Sequence, residues 1–369
     1  MLSAAREAPL KPRLETVPTE RPATPTFGDA IEAWLTYLRV EKRRKHSTIR
    51  DARNAARAYL LPHFGAETPL QATERHEVVV MREGRQYVEL REERRDTFGT
   101  DDVDDLRREL LDTHLSPRTV QKILVLLHGV FKLAKRRKLI QTNPSEDAER
   151  VTLDDAGTFN ILEPVEFESI YRVVLVDDES DQLRELSNVE RQTFAAMLST
   201  AFYAGLRMGE LRDLPWRNVD FARSMIRVES GYTDGARSTP KGKRARSVPM
   251  VAPLAQRLAA LSTRESFTGE NDYVFATPLG GRMIDKRARA VFYAALDRAA
   301  LSHKRETIDQ HGNDQEPIRV HDLRHSFCTW AVNAWNVTKV KEYAGHVDLK
   351  TTMRYVHHQT KAEDADVGS

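Results

Sequence analysis

Between Pro117 and Leu139 seven apolar residues, Val120, Ile123, Leu124, Leu127, Val130, Phe131 and Ala134, recur at steps of three and four. That spacing lines one side of an α-helix of about six turns. A stripe this long must be covered by other helices, so the chain around it is constrained to a helical packing unit. Ser116-Pro117 opens the helix, with proline at a position whose N–H has no helical partner. Asn143-Pro144 closes it. Phe27, Ile31, Trp34, Leu35 and Leu38 supply a second stripe, and Ser47–Leu60 a third helix, with Ser47 or Thr48 as N-cap and a stop before Pro62. Residues 26–145 therefore read as a compact helical domain. Within it, residues 76–100 fit two descriptions. The run Val78–Val80 favours a hairpin turning near Gly84, and the Glu/Arg content favours a charged helix.

Residues 1–25 carry five prolines and no apolar period, as a flexible tail does. Residues 146–160 are polar and read as a linker. Residues 161–369 form a second domain. Ser187–Tyr203 is helical by pattern, and Met225–Glu229 and Arg244–Met250 alternate like strands around a glycine-bearing loop. Helical segments return at 252–262, 286–300, 321–334, 337–343 and 348–356. The expected fold is mainly α: a helical N-terminal domain and an α+β second domain with a small sheet or hairpin. A length of 369 residues suits two such cores. The single cysteine, Cys328, excludes a disulfide framework and a multi-cysteine zinc site, and reads as buried packing. No apolar run reaches the ~18 residues a membrane span needs, and no secretory h-region is present, so the expected location is cytoplasmic.

Lys and Arg total 57 against 55 Asp and Glu, a balance that excludes a bulk polyelectrolyte binder but not local basic patches. Arg39–Arg57 holds eight basic residues and two acids, and Lys132–Lys138 and Arg237–Arg246 hold five basic residues each with no acid. Basic clusters on a helical domain and a hairpin suit contacts to a nucleic-acid backbone, which gives Arg43, Arg44, Lys45, Arg50, Lys135, Arg136 and Arg137 as candidate DNA-binding residues.

Four segments carry candidate chemistry. In YAGLRMGEL, Arg207 follows Gly205, and Glu210 lies three residues on, on the same face of a helix. In TPKGKRARSVPM, Lys241 sits beside Gly242 in a tight turn. In RVHDLRHSF, His321 and Arg324 are at i and i+3, a pairing that suits a phosphate because Arg offers a two-pronged donor and His a tunable proton site. By this logic His325 is a bystander. In YAGHVDLKTTMRYVH, His346 precedes Tyr355 by nine residues. An unbroken helix would put those two on opposite faces, so both serve one site only if His346 lies in the turn before the helix, which Asp348 can cap.

Taken together, Arg, Lys, His-x-x-Arg, Gly-His and Tyr in this order resemble the tyrosine recombinase (phage integrase) family, over residues 160–358. HSTIRDARNAARAYLLPHFG and LSPRTVQKILVLLHGVFKLAKRRKLIQTNP look like the family's core-binding domain, with 76–100 and 302–316 as insertions. AGH stands where the family often has LGH. The resemblance implies a site-specific recombinase or integrase that cuts and rejoins DNA through a 3′-phosphotyrosine intermediate. Arg207, Lys241, His321, Arg324, His346 and Tyr355 would be catalytic and Glu210 supporting. It further implies double-stranded recombination sites as partner, a homotetramer on DNA, and no cofactor or metal. In these terms Tyr355 is the nucleophile, Arg207 and Arg324 stabilise the phosphorane charge, His321 accepts the phenolic proton, Lys241 protonates the leaving 5′-oxygen and His346 hydrogen-bonds the phosphate. A type IB topoisomerase-like enzyme uses the same chemistry, and a non-catalytic DNA-binding protein could keep the fold. A metal-dependent nuclease would need carboxylate clusters that the sequence lacks.

Overall fold

The computed structural model describes residues 24–82, 85–153, 160–176, 183–233, 235–238, 245–308 and 315–356. They fall into two compact units dividing after Leu153.

In the first unit, helix α1 (Phe27–Val40) opens on a reciprocal cap: the Thr26 hydroxyl accepts from the Asp29 N–H and the Asp29 carboxylate accepts from the Thr26 N–H. Helix α2 (His46–Ala55) is capped by Lys45, two residues before the first expected cap, with no side-chain hydrogen bond. Nor does it stop before Pro62. The backbone widens into a π-helical turn over Ala56–Leu60 and continues as α3 (Leu61–Phe64), where Pro62 occupies an opening position that needs no N–H donor. Gly65, at φ 76°, ends the run. Helix α4 (Thr100–Leu111) turns Val103, Leu106 and Leu110 inward. This helix is not among those expected from the sequence, where the six acids of Asp101–Asp112 mask the apolar period. Helix α5 (Pro117–Arg136) buries Val120, Ile123, Leu127, Val130, Phe131 and Ala134. Phe27, Phe64, Phe98 and Phe131 meet beside it with ring centroids 4.8–6.0 Å apart. Val151 is buried in this core and the Glu149 N–H donates to Asp104, so residues 146–153, expected as linker, pack as part of the first unit.

The ambiguous segment is a hairpin. Strand β1 (Gln71–Arg82) pairs antiparallel with β2 (Arg85–Asp96). The Glu/Arg content that suggested helix is used across the ladder, in Arg75–Glu92 and Arg95–Glu74 ion pairs beside a His76–Glu93 hydrogen bond. Asp96 pins its foot by accepting from the backbone N–H groups of Gln141 and Thr142.

The second unit is built around α7 (Asn188–Ala204), which is buried on nearly every side. It packs against α6 (Pro164–Leu175), α9 (Ala252–Ser262) and α11 (Asp322–Ala334). The short α8 (Met208–Leu211) follows α7. Strands β3 (Val219–Asp220), β4 (Met225–Val228) and β7 (Arg246–Pro249) form one antiparallel sheet in the order β3-β4-β7. Ile226 and Val248, paired across it, are buried. Between β4 and β7, where only a loop was expected, β5 (Gly231–Thr233) and β6 (Ala236–Ser238) make a second hairpin. Helix α10 (Asp285–Arg298) covers α6, and α12 (Val337–Ala344) leads to a last helix, α13, at 349–356. The fold is mainly α with small antiparallel sheets.

Candidate active site

Two helix C-termini frame the site. Helix α7 ends at Gly205 (φ 63°) and α12 at Gly345 (φ 62°), both left-handed. A Cβ at position 205 would lie 2.2 Å from the Phe327 ring, so a larger residue there meets both strain and a clash. These ends present carbonyls to guanidiniums. Arg324 donates to the carbonyls of Gly205 and Ala344, and Arg207 Nη2 donates to the carbonyl of Gly345 at 3.3 Å. Cations at helix C-termini are favoured because the unpaired carbonyls there carry negative partial charge.

Glu210 ties the arginines together. Its carboxylate accepts from Arg207 N at 2.8 Å and Arg207 Nη1 at 3.1 Å, the two residues standing at the N-cap and third position of α8. It also takes a two-pronged contact from Arg246, at 2.8 and 2.7 Å. Burial alone would raise the Glu210 pKa, but the Arg246 hydrogen bonds and the charges of Arg246, Arg207 and Arg324 bring it down to about 2. Arg324 is almost wholly buried, which lowers its pKa to about 10 and leaves it charged at neutral pH. Among the described residues Glu210 is the one carboxylate hydrogen-bonded to Arg207, Arg246 or Arg324. The cluster therefore keeps a surplus of two positive charges.

Tyr355, on α13, is 2% exposed. Its hydroxyl lies 2.6 Å from His325 Nδ1 and makes a hydrogen-bonding contact with the Cys328 thiol. Its pKa is raised, chiefly by burial and also by the Cys328 thiol. His346 occupies the turn before α13 and stacks on the Tyr355 ring at 6.0 Å and 7°, with its Nδ1 2.9 Å from Thr352 Oγ1. The turn is tied down at Asp348, which accepts from the Lys350 N–H. Burial, followed by the charges of Arg324, Arg207 and Arg246, lowers the His346 pKa to about 3. Burial, His321 and Arg324 do the same to His325. Both rings are neutral at physiological pH.

Of the residues singled out from sequence, the structure gathers Arg207, Glu210, Arg324, His346 and Tyr355. His321 precedes α11 and is exposed, its ring edge-on to His325 at 5.2 Å. Lys241 lies outside the described residues. His325, set aside as a bystander, is corrected: it is hydrogen-bonded to the Tyr355 hydroxyl. Spacing could have found it, since residues 321 and 325 share a helix face as well as 321 and 324 do. The third basic cluster is corrected in part. Arg246, its side chain 9% exposed, is ion-paired with Glu210 and Arg237 Nε donates to Asp213 at 2.7 Å, so these two are held by carboxylates. The two clusters of the first unit do converge. Lys42 and Arg136 lie over the Tyr37 ring at 5.5 and 4.7 Å. Arg43, Arg44, Lys45, Arg50, Lys135, Arg136 and Arg137 are all exposed. Lys135 is paired with Glu146, Arg136 with Glu41 and Arg50 with Asp51.

The phage integrase family matches residues 174–362. An ICEBs1 integrase of Bacillus subtilis (strain 168) is 26% identical over 262 residues, covering 70% of this chain and 66% of that protein. A tyrosine recombinase XerC of Oceanobacillus iheyensis is 24% identical over 258 residues, covering 67% of this chain and 72% of its own. The fold is shared with a Tn1549 transposon integrase solved with transposon right end DNA, at TM-score 0.66 and 18% identity, over 92% of this chain and 99% of that one. It is also shared with a lambda integrase dimer bound to a COC′ core site, at TM-score 0.61 and 14% identity, over 89% and 77%. With one family matched across half its length, its second unit carrying the clustered arginines and buried tyrosine, the chain belongs to the phage integrase family.

Proposed function

We propose that this chain is a site-specific DNA recombinase that cuts and rejoins DNA strands by forming a 3′-phosphotyrosine at Tyr355, acting on double-stranded recombination sites as a homotetramer. The observation that carries the reading is the buried phenol of Tyr355 within the field of Arg324, which together with Arg207 and Arg246 surrounds a single carboxylate, Glu210. A phosphodiester brings one negative charge and gains more on its equatorial oxygens during in-line displacement, which is the charge such a cluster lacks. Arg207 and Arg324 are oriented by helix-end carbonyls, and Glu210, itself clamped by Arg246, holds Arg207 in place. His346, neutral, donates a hydrogen bond to the phosphate, and exposed His321 contributes a further donor at the rim. Lys241 takes the general-acid role toward the leaving 5′-oxygen. The phosphotyrosine conserves the energy of the broken bond, so strand exchange needs no nucleotide cofactor. Arg43, Arg44, Lys45, Arg50, Lys135, Arg136 and Arg137 contact the DNA backbone.

The test is covalent trapping. Duplexes bound by the full chain are selected from a random-sequence pool, nicked to make a suicide substrate, and run on a denaturing gel after incubation. The wild type is expected to form a protein–DNA adduct and Tyr355→Phe to form none while binding the duplex with unchanged affinity. An adduct with the Phe variant overturns the assignment of Tyr355.

A further inference from the structure

The family pattern provides for His321 and His346 but leaves His325 without a task, and His325 is the imidazole in contact with the nucleophile's oxygen. One ring nitrogen is hydrogen-bonded to the nucleophile's hydroxyl and the other faces a carboxylate just beyond hydrogen-bond distance. On one turn of α11, Asp322 Oδ1 lies 3.8 Å from His325 Nε2. On the other side, His325 Nδ1 lies 2.6 Å from the Tyr355 hydroxyl, the two rings being tilted by 32° with centroids 5.7 Å apart. A neutral imidazole has one N–H and one bare nitrogen. The nearby carboxylate favours the proton on Nε2, which leaves Nδ1 as the acceptor of the phenolic O–H. Asp322 is itself fixed, accepting from the Arg319 N–H at 2.6 Å, and is 5% exposed.

We propose that His325, aligned by Asp322, is the group that takes the proton of Tyr355 during attack on DNA. In the cleavage step the Oη–H bond breaks as the Oη–P bond forms, and the proton passes to His325 Nδ1. The P–O5′ bond breaks, and the 5′-oxygen takes its proton from Lys241. Resealing runs the same transfers backwards, the imidazolium returning its proton to the phenolate. The titratable and charged groups facing His325 are His321, Asp322, Arg324 and Arg319 at the start of α11 and Arg354 from α13. In the DNA-free protein burial and the neighbouring arginines keep the ring neutral and ready to accept. A bound phosphodiester adds the negative charge that favours the imidazolium, which Asp322 then stabilises as the carboxylate of a Ser-His-Asp triad does.

This inference rests on the phosphotyrosine reading, and the experiment separates the two. His325→Asn keeps a hydrogen-bond acceptor near the position of Nδ1 but cannot carry a proton, whereas His325→Phe removes the hydrogen bond. Single-turnover attachment to the nicked duplex is measured from pH 6 to 9, with duplex affinity and thermal midpoint as controls. His325→Asn is expected to slow attachment by about 10²–10⁴-fold. Its rate should climb roughly tenfold per pH unit, because the phenolate must form before attack, while the wild type stays flat. Phe should be at least as slow. Attachment by the Asn variant within threefold of wild type, or a slowed but pH-flat rate, overturns the proposal. An independent reading uses the DNA-free wild type: ¹⁵N resonances should show His325 Nδ1 unprotonated and Nε2 protonated, and the reverse tautomer overturns it. Failure of the wild type itself to form an adduct would instead sink the recombinase reading.

Discussion

Glu210→Gln probes the centre of the site. The substitution keeps the size of the side chain and removes the one carboxylate shared by the arginine cluster, leaving Arg207, Arg246 and Arg324 without a counter-charge. Depression of the Glu210 pKa from 4.5 to about 2 measures how much more tightly the folded state holds the carboxylate than the carboxyl. At 1.36 kcal/mol per unit this is about 3 kcal/mol. The group is buried, so little is lost to solvent screening, and the figure matches the 3–5 kcal/mol typical of breaking a buried ion pair from one side. For a unit of this size the thermal midpoint should fall by roughly 6–12 °C at pH 7.5. The sign with pH follows from the depressed pKa. The contribution is fully present above the unfolded value near 4.5 and is lost as pH falls toward 2, so the difference between wild type and variant should shrink over that window. Urea denaturation at several pH values reads it. A double-mutant cycle with Arg246→Met should return a coupling energy of about 2 kcal/mol. A loss under 1 kcal/mol with no coupling to Arg246 would refute the view that Glu210 is the electrostatic keystone.

The two depressed histidines set a second pH dependence. Folded pKa values of about 3 for His325 and His346, against 6.5 unfolded, mean that the unfolded chain takes up protons first as pH falls. Stability should therefore drop by about 2 kcal/mol between pH 7.5 and 5, after discounting for partial exposure, and chemical denaturation of His346→Asn should show a smaller drop. DNA affinity should fall steeply with salt, by roughly 0.9 in log K per phosphate contact for each tenfold rise. Neutralising Arg43, Arg44, Lys135 and Arg136 together should flatten that slope in a fluorescence-anisotropy titration, and an unchanged slope would make these residues merely solvated.

Much of this protein was legible before any coordinates. Periodicity located α1, α5, α9, α11 and α12, because an apolar stripe that must be buried repeats at the pitch of the helix. The order Arg207, Lys241, His321–Arg324, His346 and Tyr355 pointed to phosphotyrosine chemistry through its resemblance to the phage integrase family, and these residue types suit the charge and protons of a phosphodiester in displacement. Sequence alone failed where the answer depended on a distant partner. Residues 76–100 could not be assigned from composition, since Glu and Arg suit a helix face and a paired ladder equally, and only strand pairing decided between them. Arg246 read as one more basic residue until Glu210, 36 positions away in the chain, was found within hydrogen-bond reach. His325 looked idle because its partner, Tyr355, arrives from another helix 30 residues on. Local pattern determines which face of an element is apolar and which residue types the chemistry needs. Which nitrogen meets which hydroxyl is decided by packing, because hydrogen bonds and ion pairs act over a few ångströms and carry no trace in the spacing of either partner alone.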